Sequence, residues 1–339
     1  MTDDPTNDPD GAGLVAVDRF MRRDLEACAL RFALEAGLID RLAAGVGTPA
    51  DAGLSAKGSE LLFALLRAGG VVGEGLALTP SFRAILPLRD LLSAKLAFCA
   101  AVADDLRASF PAFVTDLPAF MARSRTFGLF RYDRALVATP ENLAATRDWV
   151  GYTTALTRYE AAPCLERVDL AGHRRMLDLG GNSGEFAARA CRRAPDLRAT
   201  VVDLPVVCAL GREHLAGRPE GARVRFVPCD MRRDRLPNGH DLATFKSVLH
   251  DWPDAEARSL LAAAVAALVP GGRLVIFERA PMPLDGPLDY AATGNLVFLH
   301  FFRDAALYVE TMAAHGLTDI AVETVKLDMP FHLISGRKR

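Results

Sequence analysis

The chain has 339 residues, of which 50% are hydrophobic, and a formal net charge of −2. This length suits one large domain or two ordinary ones, and the apolar content is enough for buried cores. A charge so near balance argues against a protein that binds nucleic acid or an acidic membrane through a basic surface. The six cysteines include no Cys-x-x-Cys pair and the seven histidines are dispersed, which predicts reduced thiols and no structural metal.

Residues 1–13 are acidic, rich in Asp, Pro and Gly, and without apolar periodicity, so we expect a disordered tail. They lack the basic end and the apolar core of a secretory signal. No run in the chain approaches the roughly 18 apolar residues of a membrane-spanning helix. These features predict a soluble, cytoplasmic protein that does not bind a membrane.

The segment 14–172 is predicted to be mostly helical. Apolar residues recur at helical spacing over 17–38, and a second apolar-faced helix is expected at 59–68. Two short β-like runs in 71–79 flank a Gly-Glu-Gly turn, which predicts a hairpin. Helices followed by a hairpin are typical of a winged helix, a module that often binds DNA. A ligand-sensing DNA-binding regulator is therefore one interpretation of the chain.

The composition of this module argues against DNA binding. Residues 60–67 are apolar rather than basic, and the expected hairpin carries Glu74 but no Lys or Arg, whereas a DNA-binding module needs a basic surface. An apolar helical face is better buried against a second subunit. The regulator stays an alternative, and a subunit interface is the better interpretation.

Further helices are expected at 91–113 and 143–156, and aromatic residues and small hydroxyls are concentrated over 110–159. Such a concentration forms a core more often than a ligand pocket. The sequence alone leaves both interpretations open.

A glycine-rich turn opens the second half of the chain. The apolar run 175–179 leads into it and an alanine-rich helix is expected after it, at 185–194, so the order is strand, turn, helix. Within the turn, Gly180 and Gly184 let backbone N–H groups approach a ligand closely, and Asp178 adds a carboxylate.

The spacing of the glycines restricts the ligand. A dinucleotide fingerprint counted from Gly180 needs glycines where Asn182 and Glu185 stand, and a triphosphate-binding loop needs a lysine that the turn lacks. A carboxylate followed by Gly-x-x-x-Gly suits a ligand that has no phosphate but ends in a cationic amino acid. The alternative is a glycine turn that only joins a strand to a helix.

Four more strands are expected downstream, at 199–203, 224–227, 241–249 and 273–277. Polar residues stand at the carboxyl ends of all five strands, where open α/β sheets bind their ligands. These residues are Asp178, Asp203, Asp230, His250 and Glu278. Polar residues at five successive strand ends indicate a site.

Five stretches of the chain carry a resemblance to a known family. They are Asp178-Leu-Gly-Gly-x-x-Gly184, Val202-Asp203-Leu-Pro205, Cys229-Asp230-Met231, Lys246-Ser-Val-Leu-His250-Asp-Trp-Pro-Asp254 and Pro270-Gly-Gly-Arg-Leu-Val-Ile276. They resemble the S-adenosylmethionine-dependent small-molecule O-methyltransferases, whose dimeric plant and bacterial natural-product enzymes include caffeate and hydroxyindole methyltransferases. The resemblance runs from residue 18 to residue 339.

The resemblance implies an α/β fold with a seven-stranded, doubly wound, Rossmann-like catalytic domain whose last strand is antiparallel. This domain would cover residues 173–339 and follow a mostly helical winged-helix domain at 14–172. Two late strands, at 321–325 and 332–339, would complete the sheet. The family uses its N-terminal domain for dimerisation, so a homodimer is implied here as well.

The resemblance also implies a binding site for S-adenosylmethionine, which leaves as S-adenosylhomocysteine after methyl transfer. Asp203 would accept both ribose hydroxyls, Asp230 would accept from the adenine amino group, and Met231 would pack its polarizable sulfur on the ring. The full set of implied donor-binding residues is Asp178, Gly180, Gly184, Asp203, Asp230, Met231, Lys246 and Trp252.

His250 is implied as the general base that takes the proton of the acceptor's hydroxyl. A phenol has a pKa of about 10, so little phenolate is present at neutral pH, and a neutral imidazole within hydrogen-bond reach can remove the proton as attack proceeds. Glu278 resembles the glutamate that holds this histidine, fixes its tautomer and raises its basicity. The resemblance therefore assigns catalysis to His250 and Glu278.

Two positions depart from the family pattern. The family has a second glutamate just before an Arg-Thr pair, and by alignment Phe302 takes its place here, which leaves open whether His300, Asp304 or Glu310 compensates. Asn182 stands where the family has glycine, and because asparagine tolerates positive φ we expect no loss.

The implied acceptor is a small aromatic natural-product molecule. Trp149, Tyr152 and Tyr159, on the last helices before the catalytic domain, are candidate pocket residues, as are His300 and Phe302. Methylation of carbon or nitrogen is an alternative, because a nucleophile activated by its own substituents depends less on the two glutamates that hold the family's histidine. Some proteins of this fold bind the donor without transferring its methyl group, as hydroxylase-like or decarboxylase-like enzymes, and that alternative also stays open.

Overall fold

A computed structural model of the chain describes residues 11–21, 23–46, 53–286 and 288–339. The tail expected at 1–13 lies largely outside the described residues. Its last two residues belong to the first helix rather than to a disordered segment.

Helices make up most of the described N-terminal half. In chain order the α-helices are α1 (Ala12–Ala16), α2 (Asp24–Glu35), α3 (Leu38–Ala43), α4 (Ala56–Ala68), α5 (Pro80–Ile85), α6 (Arg89–Thr115), α7 (Leu117–Arg123), α8 (Arg125–Leu129), α9 (Tyr132–Ala135), α10 (Pro140–Arg167), α11 (Glu185–Arg193), α12 (Pro205–Leu215), α13 (Asp254–Ala267), α14 (Thr293–Leu296) and α15 (Ala305–Ala314). The strands are β1 (Arg175–Leu179), β2 (Arg198–Asp203), β3 (Val224–Pro228), β4 (His240–Lys246), β5 (Leu268–Arg279), β6 (Leu317–Lys326) and β7 (Pro330–Lys338).

The chain divides into two compact units. One consists of Ala12–Thr126 with Pro283–Val297, and the other of Phe127–Met282 with Phe298–Arg339. This division differs from the boundary expected between residues 172 and 173. The long helix α10 packs against α11 and α12 of the sheet-containing unit, and Thr154 on α10 donates to Ser183 Oγ at 2.7 Å. These contacts attach α10 to the second unit.

In the first unit, α2 packs against both α4 and α6. Their inward faces bury apolar side chains such as Leu30, Leu66 and Leu96, in agreement with the helical spacing of apolar residues in the sequence. Ser55 caps the N-terminus of α4, because its side-chain oxygen accepts the N–H of Gly58 at 3.0 Å.

The hairpin expected at 71–79 is reduced to a single antiparallel bridge between Val72 and Leu78. A 3-10 turn at Glu74–Leu76 occupies the residues between them. Gly75 takes a φ of +69° within this turn, which is incompatible with an extended strand. The expected hairpin is therefore present only as one bridge, and the prediction of two short strand runs is wrong.

The second unit contains one seven-stranded sheet in the order β3-β2-β1-β4-β5-β7-β6. Strands β1 to β5 are parallel to one another, and β7 is antiparallel to both β5 and β6. The predicted seven strands with an antiparallel last strand are thus confirmed. The strand order reverses between β1 and β4, which is the position where open α/β sheets bind ligands.

Strands β4, β5 and β6 differ most in length from their predictions, and β6 runs over Leu317–Lys326 instead of 321–325. β4 ends at Lys246, three residues earlier than expected, and a 3-10 turn at Leu249–Asp251 follows it. Ser247 causes this early end, because it takes a φ of +54° that a strand cannot include. β5 is longer than expected and runs over Leu268–Arg279.

Candidate active site

The glycine-rich turn lies at the carboxyl end of β1 and leads into α11. Gly180 has a φ of +64°, and a Cβ atom there would come within 2.8 Å of the Val248 side chain. Gly184 has a φ of +75° as the residue before α11. Asn182 takes a φ of +53°, the type of conformation that asparagine was expected to tolerate. The turn therefore brings backbone close to the sheet where larger residues would not fit.

Asp178 is buried beside this turn, with 1% of its surface exposed. Its Oδ1 accepts a hydrogen bond from Thr244 Oγ1 at 2.6 Å, while Oδ2 has no hydrogen-bond partner among the described residues. Burial raises the pKa of Asp178 to about 7, and the nearby charge of Lys246 opposes this rise. A buried carboxylate oxygen without a donor is unfavourable, so the site is suited to a cationic ligand group.

Asp203 ends β2 on the same edge of the sheet. Its two oxygens accept the backbone N–H groups of Asn182, at 2.9 Å, and Leu204, at 2.7 Å. Burial raises the pKa of Asp203 to about 6, and these hydrogen bonds oppose the rise. The two backbone donors fix the carboxylate in one orientation next to the glycine turn.

Asp230, after β3, is paired with Arg232, an interaction that sequence analysis missed. Arg232 donates from Nε to Oδ1 at 3.0 Å and from Nη2 to Oδ2 at 3.1 Å, and its guanidinium carbon lies 4.5 Å from the Trp252 ring centroid. Burial works to raise the pKa of Asp230, but these hydrogen bonds outweigh it and the pKa is lowered. Met231 and Trp252 both pack, partly buried, against the same hydrophobic cluster.

Lys246 ends β4 and belongs to a buried charged cluster. Glu160 on α10 is 0% exposed and accepts hydrogen bonds from Lys246 and, at 2.7 Å, from Arg279 Nη2. Arg279 also donates to Ser247 Oγ at 2.9 Å, and Lys246 to Thr157 Oγ1 at 3.1 Å. One carboxylate on α10 thus fixes the side chains at the ends of β4 and β5. No sequence pattern pointed to Glu160.

His250 lies on the 3-10 turn after β4, where Glu278 at the end of β5 reaches it. His250 Nδ1 is 2.6 Å from Glu278 Oε1, and Glu278 Oε2 accepts the N–H groups of Val248 at 3.0 Å and Leu249 at 2.8 Å. Because an ionised carboxylate only accepts, Nδ1 carries the proton and Nε2 is the basic nitrogen.

The same pair sets the charges of the site. Burial works to raise the pKa of Glu278, but the His250 charge and the hydrogen bonds prevail and lower it to about 2. Burial works to lower the pKa of His250, but the charges of Glu278 and Asp251 prevail and raise it. Glu278 is therefore ionised at neutral pH, and His250 is a stronger base than an isolated imidazole.

Arg303, a further residue that sequence analysis missed, closes the turn that carries His250. Its Nη1 donates to the carbonyl of Leu249 at 2.9 Å and its Nη2 to the carbonyl of Trp252 at 2.5 Å. Its Nε also lies 3.3 Å from Asp254 Oδ1. The two bonded carbonyls flank residues 250 and 251, so the guanidinium holds both ends of the turn.

Phe302, at the position of the family's second glutamate, places its ring centroid 5.7 Å from that of His250 in a T-shaped contact. Three residues were considered as replacements for the family's second glutamate, and each has a different environment. His300 is exposed, Asp304 precedes the first turn of α15, and Glu310 pairs with Arg258 at 3.3 Å.

The candidate pocket residues of α10 occupy different environments. Trp149 is buried with Val206 and Val207 in a core cluster, and its ring meets that of Tyr132 at 5.3 Å. Tyr152 is half-buried and Tyr159 is buried. Tyr132 in turn stacks on Trp252, with centroids 5.1 Å apart, so the Tyr132 ring connects Trp149 to Trp252.

Within the described ranges, no cluster of three or more His, Cys, Asp or Glu residues is arranged to hold a metal ion. All six cysteines lie in those ranges as free thiols, and only Cys28 is exposed. None of the helices in the described part of the chain combines the length and hydrophobicity that a membrane span requires.

Known proteins with similar sequences align with only part of this chain. The 3-hydroxy-5-methyl-1-naphthoate 3-O-methyltransferase of Streptomyces sahachiroi is 35% identical over 186 residues, 54% of this chain and 53% of the relative. The N,N-dimethyltransferase OxyT of Streptomyces rimosus is 33% identical over 143 residues, 42% of this chain and 41% of the relative. The chain thus aligns with about half of these relatives' own length.

The solved structure of human N-acetylserotonin methyltransferase in complex with S-adenosylmethionine matches with a TM-score of 0.65. It is 21% identical, and the match covers 92% of this chain and 93% of the human chain, so it establishes the fold. A family model described as an O-methyltransferase domain matches residues 123–295, just over half of the chain. The chain therefore belongs to the O-methyltransferase domain family.

Proposed function

We propose that the protein transfers a methyl group from S-adenosylmethionine to a hydroxyl oxygen of a small aromatic natural product, with His250 as the general base. The observation that carries this proposal is the pairing of His250 Nδ1 with buried Glu278 at 2.6 Å. This pairing leaves Nε2 basic after the carboxyl end of β4, at the same edge of the sheet as Asp178 and Asp203. Membership of the O-methyltransferase family supports the same chemistry.

The donor-side residues fit S-adenosylmethionine. The unpartnered Oδ2 of Asp178 suits its ammonium group, and the oriented carboxylate of Asp203 suits a ribose diol. Asp230 has lone pairs left for an adenine amino group even with Arg232 bound. When bound, S-adenosylmethionine supplies an electrophilic methyl group, and the electron pair of the broken C–S bond stays on sulfur.

The chain's own residues orient the acceptor and move one proton. His250 Nε2 takes the proton of the acceptor hydroxyl while the oxygen's electron pair forms the new bond to carbon. Glu278 balances the charge of the imidazolium, which afterwards loses the proton to water. General-base catalysis of this kind contributes roughly 10²- to 10⁴-fold in rate.

The rings around His250 support an aromatic acceptor. Phe298 and Phe302 meet the imidazole at 6.2 and 5.7 Å in T-shaped contacts, and Phe127 and Phe130 each meet Phe298 at 5.8 Å. Such a group of ring faces binds flat apolar molecules well. The relative from Streptomyces sahachiroi, named for a hydroxynaphthoate, is consistent with this choice. Tyr152 and Tyr159 are proposed as further pocket residues, and Trp149 as core.

For the first unit we propose a winged-helix-like dimerisation role. Leu25 and Phe32 on α2 and Leu61 on α4 are apolar yet 65%, 41% and 62% exposed. Exposed apolar side chains on neighbouring helices favour association with a second copy. A regulator that binds DNA would instead need a strongly basic surface, whereas α2 carries Arg31 together with three acidic residues, Asp24, Glu26 and Glu35.

Methylation of nitrogen is the second candidate, because one relative is named an N,N-dimethyltransferase. A neutral amine carries its own nucleophilic electron pair, so it depends less on a base than a phenol does. The two candidates differ in the atom that gains the methyl group and in the expected loss on removal of His250.

The deciding experiment is single-turnover mass spectrometry with methyl-labelled S-adenosylmethionine and a panel of phenols, naphthols and aryl amines. Wild type is compared with His250→Ala and with His315→Ala, a histidine at the end of α15. We expect label on oxygen, a loss of at least roughly a hundredfold in His250→Ala, and full activity in His315→Ala. Donor binding without label on any acceptor would contradict the proposal, and label on nitrogen with little effect of His250→Ala would favour the second candidate.

A further inference from the structure

The basic nitrogen of His250 faces a second carboxylate. Glu278 occupies Nδ1, and on the other side of the ring Asp251 Oδ1 lies 3.4 Å from Nε2. The aligned position of the family's second glutamate holds the Phe302 ring instead. The second carboxylate beside the His250 ring is therefore that of Asp251, the next residue in the sequence.

Asp251 is held in place from a different element. The Tyr132 hydroxyl at the start of α9 donates to Asp251 Oδ2 at 2.7 Å. The Tyr132 ring stacks on Trp252, with centroids 5.1 Å apart and planes at 27°, and it also contacts Trp149 at 5.3 Å. Two ring contacts therefore fix the position from which the hydroxyl reaches the carboxylate.

We propose that Tyr132 is a positioning residue for the reaction: its hydroxyl holds the Asp251 carboxylate beside Nε2 of His250, where that carboxylate stabilises the imidazolium formed when His250 takes the acceptor's proton. The proposal rests on the proposed function for its role in turnover. The arrangement itself, in which Tyr132 contacts Asp251 and Asp251 contacts His250, is given by the observed distances.

The charged groups around Tyr132, Asp251 and His250 determine whether loss of the Tyr132 hydroxyl raises or lowers the pKa of His250. His250 is surrounded by Glu278 and Asp251, which favour its protonated form, and by Arg279, which disfavours it. Burial raises the pKa of Asp251, while His250, Arg279 and the Tyr132 hydrogen bond lower it and Glu278 adds to the rise. Loss of the hydroxyl would therefore make Asp251 less ionised, and the pKa of His250 would fall.

The test is NMR titration of His250 in the unliganded full-length protein, which needs no turnover. Tyr132→Phe removes the hydroxyl and keeps the ring that stacks on Trp252, and Asp251→Asn removes the charge. We expect the pKa of His250 to fall by about one unit in Tyr132→Phe and by about one to three units in Asp251→Asn. Tyr290→Phe, a tyrosine of the other unit, should leave the pKa of His250 unchanged.

A second measurement, the affinity for S-adenosylhomocysteine, separates positioning from donor binding. We expect Tyr132→Phe to retain wild-type affinity and to lose roughly tenfold in kcat, with the acidic limb of the pH–rate profile moved to lower pH. An unchanged His250 pKa in both Tyr132→Phe and Asp251→Asn would overturn the proposal, as would a loss in Tyr132→Phe confined to donor affinity. If the wild type transfers no methyl group, the proposed function is wrong. The titration still shows whether Tyr132 and Asp251 set the pKa of His250, because it needs no turnover.

Discussion

Glu278 Oε1 lies 2.6 Å from His250 Nδ1, while the other oxygen of the same carboxylate accepts the N–H groups of Val248 and Leu249. A single buried side chain on β5 therefore fixes the backbone of the turn that carries the histidine and also the tautomer of its ring. Both effects depend on full burial, because water would otherwise compete for each of the three hydrogen bonds.

Glu278→Gln should lower kcat by roughly a hundredfold in single-turnover assays. The amide removes the negative charge that raises the pKa of His250, so the base becomes weaker. Its single oxygen can accept from the two backbone N–H groups or from His250 Nδ1, but not from both sides. S-Adenosylhomocysteine affinity should change little. The matched control is Glu256→Gln on the exposed face of α13, which should behave as wild type. Full activity in Glu278→Gln would contradict the assigned role.

The rate of methyl transfer should rise with pH through the pKa of His250. This pKa is raised above its ordinary value of 6.5, so the protonated, inactive form should persist to a higher pH than for a free histidine. Activity should therefore be lost as pH falls through that raised value. The measurement is a pH profile of kcat/KM with an aryl ether product, and a profile that is flat across pH 6–8 would exclude His250 as the base.

The folded-state pKa shifts also predict a pH dependence of stability. The raised pKa of His250 contributes stability that is fully present below its unfolded value of 6.5 and is lost as pH rises through the folded value. The pKa of Glu278, lowered from 4.5 to about 2, contributes stability that is present above 4.5 and is lost as pH falls towards 2. Glu278→Gln should accordingly lose less stability than the wild type as pH falls from 4.5 towards 2, as measured by thermal unfolding. A parallel acid response in both proteins would argue against the shift.

Phe302→Glu should raise the KM of an aromatic acceptor and lower the unfolding temperature. The ring of Phe302 contacts His250 and is only 8% exposed, so the substitution removes an aromatic surface and buries a carboxylate beside His250, which is already paired with Glu278. Phe302→Leu, which keeps an apolar side chain, is the matched control and should be milder in both respects. KM values equal to that of the wild type in both variants, neither of which has the ring, would show that the ring does not contact the acceptor.

Glu160→Gln should destabilise the protein by about 3–5 kcal/mol, the usual effect of breaking a buried ion pair. Lys246 and Arg279 would keep their charges in a buried cluster without the carboxylate that both of them contact. The measurement is the shift of the sheet-containing unit's unfolding in denaturant. Glu166→Gln, which breaks an exposed pair with Arg193, should cost less than about 1 kcal/mol. Similar losses in both variants would contradict the buried-cluster interpretation.

The sequence by itself determined the sheet and the order of its site residues. Apolar runs that end in Asp178, Asp203 and Glu278 predicted parallel strands, since fully buried strands are continuously apolar and their polar ends meet at one edge. The structure confirms the sheet, and it places His250 against Glu278 as the family motif implied. The strands can be read from single stretches of chain because each follows from local periodicity, whereas the pairing of His250 with Glu278 was implied only by the resemblance to the family.

Tertiary structure alone decided the partners of those residues. Glu160, Tyr132 and Arg303 are separated from the residues they hold by 86, 119 and up to 54 positions, and no spacing rule connects such distant side chains. The sequence did not predict the early end of β4 at Ser247 either. The backbone N–H groups of Val248 and Leu249, which follow it, donate to the Glu278 carboxylate on β5, and this contact stabilises the end of the strand. Local patterns predict which elements form, whereas the burial of charged side chains between elements depends on how those elements pack.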